Sequence, residues 1–270
     1  MSTVVLKRTN QKVIPKPSCA DTVYKAIKAG YRLFDGAGDY GNEKESGEGV
    51  RRAIADGLVK REDLYVHALA KKQLELWGID YFDLFLIHFP VALQYVDPNH
   101  RYPPEWWGDD GKVYLANTTI QETWTAMEEL VDAGVAKNIG ISNFQSGLIL
   151  DLLRYARYEP QVLQVELHPY LNQQPLVDFC KAWGIAVTAY SSFGPQGYIE
   201  LGMDKSAASL FSNDAVQQAA AATKKTPGQV ILRWATQRGI AGHSQDISSL
   251  NINLRLNDPI LIDPRLSIFA

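Results

Sequence analysis

The stretch DLFLIHF, residues 83–89, is apolar without a break from Leu84 to Ile87, with Asp83 before that run and His88 after it. A strand with one solvated face alternates apolar and polar residues, whereas a strand of a parallel sheet, covered on both faces, is apolar throughout. The stretch therefore predicts a buried strand of a parallel sheet in an α/β protein.

Segments on both sides of this strand repeat the same order of strand and helix. The other strand candidates are RLFDGA (32–37), EDLYV (62–66), AKNIGISNF (136–144), VLQVELH (162–168), IAVTAYSS (185–192) and the stub GIA (239–241). The helix candidates are 20–30, 43–57, 68–78, 119–134, 147–156, 175–184 and 214–239. Such persistent alternation indicates βαβ units with right-handed crossovers.

Two parallel architectures fit this order, a doubly wound sheet and a (β/α)8 TIM barrel. We favour the barrel, because there are seven or eight strand–helix units, no G-x-G-x-x-G fingerprint, and polar residues after many strands. A barrel gathers these polar residues at the C-terminal ends of its strands: Asp35, Tyr40, His88, Ser142, Asn143, Glu166, His168, Ser191 and Ser192. We predict one domain over 1–270, with a long loop at 90–119 and a C-terminal tail at 251–270.

Composition excludes several classes of partner. A net charge of −3, with Lys and Arg scattered, gives no general field for nucleic acid or an anionic membrane. No stretch approaches the ~20 apolar residues of a membrane span, and MSTVVLKRTN lacks the apolar core of a signal peptide. The two cysteines, Cys19 and Cys180, cannot form a disulfide framework or a zinc site by themselves. We expect a cytoplasmic protein without a metal centre.

The stretch LFDGAGDYGNE, residues 33–43, places Asp35, Asp39 and Tyr40 directly after a strand. One interpretation is a strand-to-helix turn, since three glycines permit a tight backbone and Asp favours helix N-termini. The other is catalysis, because a tyrosine can be a general acid for a carbonyl if nearby charge assists it. His88 alone is as readily a core histidine, but together with Tyr40 and Asp35 it favours the catalytic interpretation.

The long loop at 90–119 contains five aromatic residues and several prolines, without a helical or strand period. Loops of this length in a compact domain are usually functional or disordered. Because the aromatic residues can pack together, we predict an ordered wall over the mouth of the pocket.

Six motifs in order, LFDGAGDYGNE, DLFLIHFP, GISNF, QVELHPYL, AYSSFGPQG and LRLNDP, resemble the aldo-keto reductases, in particular the fungal D-xylose reductases. The resemblance runs from about residue 19 to the C-terminus. It implies a (β/α)8 barrel that transfers hydride from NADPH or NADH to an aldehyde or aldose, such as D-xylose, which becomes xylitol. It also leaves room for a homodimer.

The resemblance implies a role for each residue of the catalytic and substrate sites. Tyr40 would donate a proton to the carbonyl oxygen, His88 would orient that carbonyl, and Asp35 would support the charge network. Asp39 and Asn257, together with His88, would contact substrate hydroxyls.

The same resemblance implies a cofactor site. Ser142, Asn143 and Gln164 would hold the nicotinamide carboxamide, and Tyr190 would stack on the nicotinamide. The loop 191–202 would bind the pyrophosphate, with Glu200 near the adenosine ribose; its candidate residues are Ser191, Ser192, Gly194, Gln196 and Glu200. Each has a plainer alternative, since GISN is also a good strand end with an N-cap and Tyr190 could fill the core.

Three departures from the family pattern adjoin the cofactor site. The family's catalytic lysine, in an S-K-L-type sequence at the end of the third strand, has no counterpart, because EDLYV runs directly into HALAKKQLELWG. Lys71 and Lys72 fall inside the predicted helix and are poor replacements. GIAGHSQDISSL stands where an I-P-K-S-type stretch would bind the adenosine phosphate, and KVIPKPSCADTV omits the glycine-rich first strand.

A barrel closes only when strand number and stagger agree, so we expect incomplete first, third and eighth strands. Three explanations remain open: shortening by engineering or aberrant splicing, residues left out of the sequence as it stands, and natural divergence. Two functions follow from them, an aldehyde or aldose reductase and a catalytically impaired or non-catalytic barrel remnant. The missing lysine discriminates between the two.

Overall fold

The computed structural model describes residues 15–61, 65–67, 70–97, 108, 110, 112–195 and 208–241. The strands in this part of the chain are β1 (Leu33–Asp35), β2 (Tyr65–His67), β3 (Phe85–Ile87), β4 (Ile139–Ser142), β5 (Val162–Glu166) and β6 (Ala186–Tyr190). The α-helices are α1 (Lys16–Lys28), α2 (Glu43–Ala55), α3 (Ala70–Trp77), α4 (Ile120–Asp132), α5 (Ser146–Leu152), α6 (Gln174–Ala182), α7 (Asp214–Thr223) and α8 (Pro227–Thr236). Two 3₁₀ helices span Gly38–Tyr40 and Leu210–Ser212.

The described chain divides into two compact units. The first unit comprises residues 15–141 and 150–160. In it, β1 pairs in parallel with β2 from Leu33↔Tyr65 to Asp35↔His67. Parallel pairing also joins β3 to β4, from Phe85↔Ile139 to Ile87↔Ile141. Helices α1 and α2 pack together through buried apolar residues that include Cys19, Val23, Ile27, Val50 and Ala53.

The second unit comprises residues 142–149 and 161–241. Its strands β5 and β6 pair in parallel over five residues, from Val162↔Ala186 to Glu166↔Tyr190. A single parallel bridge, Thr188↔Ala241, extends this pair. Its buried core includes Leu163, Val165, Val187, Val230, Ile231 and Trp234.

These pairings confirm the predicted α/β class with parallel strands. They also agree with the expected incomplete third and eighth strands, because β2, at EDLYV, spans only Tyr65–His67 and the stub GIA forms a single bridge, at Ala241. At the expected gap in the first strand, KVIPKPSCADTV is described from Pro15 onward, and α1 begins there at Lys16. Strand β4 is buried along its whole length, whereas Leu86 and Ile87 of β3 are half-buried, so the prediction of a buried strand at 83–89 is confirmed only in its first part.

The prediction of one helix over 214–239 is wrong. Lys224 follows α7 in the left-handed conformation, with φ 54°, and α8 begins at Pro227. Thr226 accepts from the backbone N–H of Gln229, whose side chain accepts from the Thr226 N–H, so the two form a capping box. The sequence TPGQ carries this signal, because proline at the first helical position and a Thr-x-x-Gln pattern mark a helix start.

The two arms of the long loop pair with each other, which its sequence pattern did not indicate. Leu93 and Leu115 form an antiparallel bridge, and the Gln94 N–H donates to the Tyr114 carbonyl at 2.9 Å. The described parts of the two arms are thus joined by backbone hydrogen bonds, while the ordered wall over a pocket stays a prediction. No helix among the described residues is long and apolar enough to span a bilayer.

Candidate active site

Tyr40 lies on a short turn between β1 and α2. It is the last residue of the 3₁₀ helix Gly38–Tyr40, which ends at Gly41 in the left-handed conformation, with φ 64°. Its side chain is half-buried, whereas Asp35 at the end of β1 is exposed. The segment therefore forms a strand-to-helix turn, the first of the two interpretations of its sequence. The same turn places Tyr40 beyond the C-terminal end of a strand, where the second interpretation requires it. Asp39 belongs to this 3₁₀ helix.

His88 directly follows β3 and is exposed. Its ring stacks on that of Phe89, with centroids 5.0 Å apart and an interplanar angle of 22°. His88 and Asp35 thus each lie at the C-terminal end of a strand in the first unit, as predicted. Their convergence with Tyr40 in one cleft stays a prediction.

The position in register with Asp35 on the neighbouring strand is His67, the last residue of β2. The resemblance placed a lysine at the end of this strand, and β2 contains none. Lys71 and Lys72 belong to α3, which begins three residues after β2 ends. Neither of these two lysines therefore occupies a strand position beside Asp35.

The second unit brings together four residues predicted to bind the cofactor. The Ser142 hydroxyl donates to the Gln164 carbonyl at 2.8 Å, and the Asn143 amide donates to Ser142 Oγ at 3.2 Å. The Tyr190 hydroxyl donates to Asn143 Oδ1 at 2.7 Å. Ser142 and Asn143 are 2% and 1% exposed, and such buried polar groups require hydrogen-bond partners. The sequence prediction had grouped these four residues through the resemblance alone.

The turn that follows β6 carries three further candidates. Ser191 and Gly194 both have positive φ, 49° and 61°, and the Gly194 N–H donates to the Ser191 carbonyl at 2.7 Å. A Cβ at Gly194 would lie 2.7 Å from Leu210 Cδ1, so a side chain at this position would collide with the core. Ser192 is half-buried on the same turn. Three more candidates, Gln196, Glu200 and Asn257, lie outside the described residues.

Glu166 and His168 form a buried pair for which the sequence gave no specific role. Both side chains are fully buried, and His168 Nε2 lies 3.0 Å from Glu166 Oε1. Within the described chain, His168 Nδ1 has no hydrogen-bond partner. The two residues are two positions apart, and this spacing places their side chains on the same side of an extended chain. That spacing was the feature of the sequence from which the pair could have been predicted.

The chemistry of this polar group fits a carboxamide. A carboxamide needs one acceptor for its NH₂ and one donor for its oxygen, and the side-chain amides of Asn143 and Gln164 each carry both. The half-buried ring of Tyr190 supplies a flat apolar surface beside them. These residues could therefore hold a nicotinamide.

No group of three His, Cys, Asp or Glu side chains within the described ranges is arranged to bind a metal ion.

Comparison with known proteins gives a consistent result. A family model described as "Aldo/keto reductase family" matches residues 5–250. The chain is 53% identical to a "Probable NAD(P)H-dependent D-xylose reductase" of Emericella nidulans, covering 90% of this chain and 88% of the relative. It is 49% identical to a protein of the same name from Aspergillus fumigatus, with 92% of each covered. An "NAD(P)H-dependent D-xylose reductase" of Pyricularia oryzae is 57% identical, with 83% and 74% covered.

The alignment with the Emericella nidulans relative is longer than the chain itself. It extends over 282 positions, whereas the chain has 270 residues. The relative therefore carries internal residues that have no counterpart here, which agrees with the predicted departures from the family pattern.

Proposed function

The chain belongs to the aldo/keto reductase family, whose fold is the (β/α)8 barrel, and from that premise we propose that it reduces D-xylose to xylitol with NADPH or NADH. The observation that carries the proposal is the hydrogen-bonded network of the buried Ser142 and Asn143 with the half-buried Tyr190, which gathers amide and aromatic groups suited to a nicotinamide. The names of the relatives support both the cofactor and the sugar.

Proton transfer to the substrate is the task of Tyr40. As the carbonyl carbon is reduced, negative charge develops on the carbonyl oxygen, and a positioned O–H group that donates its proton lowers the barrier. Because the 3₁₀ helix fixes the backbone of Tyr40 beyond the end of β1, its hydroxyl is a suitable donor. In this proposal His88 hydrogen-bonds the same oxygen and Asp35 supports the local charge.

Binding of the cofactor is the task of the second unit. Bound NADPH or NADH supplies the hydride that reduces the carbonyl carbon. Asn143, Gln164 and Ser142 hold the carboxamide, which fixes the orientation of the ring, and Tyr190 covers one face of it. Since Ser142 and Asn143 are already hydrogen-bonded and buried, little side-chain ordering remains to be done on binding. The turn at Ser191, Ser192 and Gly194 begins the proposed pyrophosphate strap, which continues to Gln196 and Glu200.

The absent lysine limits the rate in this proposal. A tyrosinate formed after proton transfer is stabilised by a nearby cation, and such a charge acts far more strongly in a closed site than in water. Strand β2 ends at His67, in register with Asp35, and its sequence Tyr-Val-His contains no lysine. We therefore expect the turnover rate of the chain to be lower than that of a version that regains the lysine, by a factor on the order of 10²–10³.

One paired assay tests the proposal. NADPH oxidation with D-xylose is measured for the chain and for a version with a Ser-Lys-Leu stretch restored at the end of β2. We expect measurable turnover in the chain and faster turnover in the restored version. Absence of turnover in both would contradict the reductase and favour the non-catalytic remnant. Equal rates in both would contradict the role given to the lysine.

Four narrower proposals accompany this function. The first is that Asp39, His88 and Asn257 contact the hydroxyls of D-xylose. The others are a single domain over 1–270, a homodimer and a cytoplasmic location. Size-exclusion chromatography with light scattering tests the homodimer directly, with a mass of about twice the 30.1 kDa chain as the expected result.

A further inference from the structure

The ring of Trp77 packs against the backbone that follows β1. Trp77 is the last residue of α3 and is 2% exposed. A Cβ at Gly36 would lie 2.7 Å from Trp77 Cζ2, so only glycine leaves room for the indole. Because Gly36 directly follows Asp35, the indole covers the start of the segment 36–43 that carries Tyr40.

The same side chain contacts the other end of that segment. The indole N–H of Trp77 donates to Glu43 Oε1 at 3.3 Å, and the amide of Gln73 donates to the same oxygen. Glu43 is 2% exposed and begins α2, where the helix dipole favours a carboxylate. A buried carboxylate without such donors would be costly, so these hydrogen bonds hold Glu43 in place.

The backbone of Trp77 is fixed against α2 as well. Arg51 Nη1 donates to the Trp77 carbonyl, and a Cβ at Gly47 would lie 2.5 Å from Trp77 Cα. The absence of a side chain at Gly47 thus allows α3 to approach α2 closely. Trp77 is held on its main chain by α2 and, through its indole, contacts both ends of the segment 36–43.

We propose that Trp77 is a positioning residue for Tyr40. It holds Gly36 at the start of the segment and Glu43 at its end, so that the 3₁₀ helix between them keeps one conformation. This inference rests on the proposed function, because it assigns the benefit to proton donation by Tyr40. A displacement of about 1 Å at a reacting group can lower a rate by about 10²-fold, so a small movement of this turn is enough to matter.

The test compares two tryptophan-to-phenylalanine variants in the same unit. Trp77→Phe loses the hydrogen bond that the indole N–H donates to Glu43, and it loses part of the contact with Gly36. Trp124→Phe is the matched control, because Trp124 on α4 is 1% exposed and also donates its indole N–H, to the Tyr158 carbonyl at 3.1 Å. Glu43→Gln serves as a second variant, which keeps the shape and the indole ring but removes the charge.

Three quantities are measured: kcat and KM with D-xylose, the pH profile of kcat, and backbone hydrogen exchange over residues 36–43. For Trp77→Phe we expect kcat to fall by roughly 10-fold with a smaller change in the KM for NADPH, a shifted basic limb of the pH profile, and faster exchange over 36–43. Trp124→Phe should keep the native values of all three quantities. Glu43→Gln should follow Trp77→Phe in direction.

Native kcat, an unchanged pH profile and native exchange over 36–43 in Trp77→Phe and Glu43→Gln would overturn the inference. Failure of the proposed function has a different signature, which is the absence of turnover in the native chain itself. In that case the exchange data still decide whether Trp77 holds the segment. Faster exchange in Trp77→Phe alone supports this role, and equal exchange in both tryptophan variants refutes it.

Discussion

The Tyr190 hydroxyl donates a 2.7 Å hydrogen bond to Asn143 Oδ1. This bond joins the C-terminal end of β6 to the residue that follows β4, although the two residues are 47 positions apart. It fixes the tilt of the Tyr190 ring and the orientation of the Asn143 amide at the same time. The two groups assigned to the nicotinamide, one for its face and one for its carboxamide, are therefore positioned by each other.

Tyr190→Phe should weaken cofactor binding while keeping the ring. The hydrogen bond holds both groups in place before the cofactor binds, and such a bond contributes about 0.5–1.5 kcal/mol, so its loss should raise the Kd for NADPH by up to roughly 10-fold. Quenching of protein fluorescence during NADPH titration measures it. Tyr24→Phe is the control, because the Tyr24 hydroxyl also donates at 2.7 Å, to Asp56 on the exposed surface of the other unit. An unchanged Kd in Tyr190→Phe would contradict the role of the hydroxyl.

Asn143 should prefer glycine to alanine as a replacement. Its φ is 63°, in the left-handed region, where a Cβ costs about 1–2 kcal/mol relative to glycine. Because both variants lose the buried amide, Asn143→Ala should have a lower free energy of unfolding than Asn143→Gly by about 1 kcal/mol in urea denaturation. Lys224, with φ 54° after α7, offers the same comparison outside the candidate site. Greater stability of Asn143→Ala would contradict this backbone argument.

Glu128 should be important for stability, in contrast to its neighbour Glu129. Glu128 is 3% exposed and accepts from the backbone N–H groups of Arg157 and Tyr158 at 2.6 and 3.2 Å. Glu128→Ala leaves these donors without that acceptor, so we expect a loss of roughly 2 kcal/mol in the free energy of unfolding. Glu129→Ala, on the exposed side of α4, should change it by less than about 0.5 kcal/mol. Equal effects of the two variants would refute the assignment.

The cysteine thiols should resist alkylation until the chain unfolds. Burial raises the pKa of the Cys180 thiol to about 11, and burial also raises the pKa of the Cys19 thiol. At pH 8 about one Cys180 thiol in a thousand is ionised, and the thiolate is the reactive form. Iodoacetamide at pH 8 should therefore label neither cysteine in the native protein and both in 8 M urea, as read by mass spectrometry. Rapid native labelling of Cys180 would show that its burial is wrong.

The raised thiol pKa values also set the direction of a pH effect on stability. The unfolded chain releases these protons at the ordinary thiol pKa, whereas the folded chain holds the Cys180 proton until about pH 11. The stabilising contribution is thus complete below the ordinary thiol pKa and decreases as the pH rises toward 11. Cys180→Ala should flatten this alkaline decrease in urea denaturation. If the free energy of unfolding of the variant decreases with pH as steeply as that of the native chain, the alkaline decrease arises from groups other than Cys180.

The sequence predicted the strands well because their signal is local. The continuous apolar run from Leu84 to Ile87 marks β3, and the polar residues after such runs mark the strand ends. The sequence grouped Asn143 and Tyr190 only through the motifs GISNF and AYSSFGPQG, and it did not predict the hydrogen bond between them. This bond joins residues from separate strands, and no sequence period encodes such a pair.

Other features required the structure for definite reasons. The bridge between Leu93 and Leu115 depends on two loop arms meeting, and the packing of Trp77 against Gly36 depends on the close approach of α3 to α2. The break between α7 and α8 has a local signal in TPGQ, which the prediction of one helix over 214–239 did not use. The register of Asp35 with His67 follows from strand pairing and shows which residue takes the position beside Asp35.

Hydride transfer to an aldose carbonyl, with Tyr40 as proton donor, is the reaction we propose for this chain. Its most direct test is a single-turnover reaction of excess protein with D-xylose and NADPH that carries deuterium at both C4 positions, followed by mass spectrometry of the sugar product. We expect xylitol carrying one deuterium, formed more slowly by Tyr40→Phe, by a factor on the order of 10²–10⁴. Absence of deuterated xylitol, or formation at the same rate in Tyr40→Phe, would contradict the proposal.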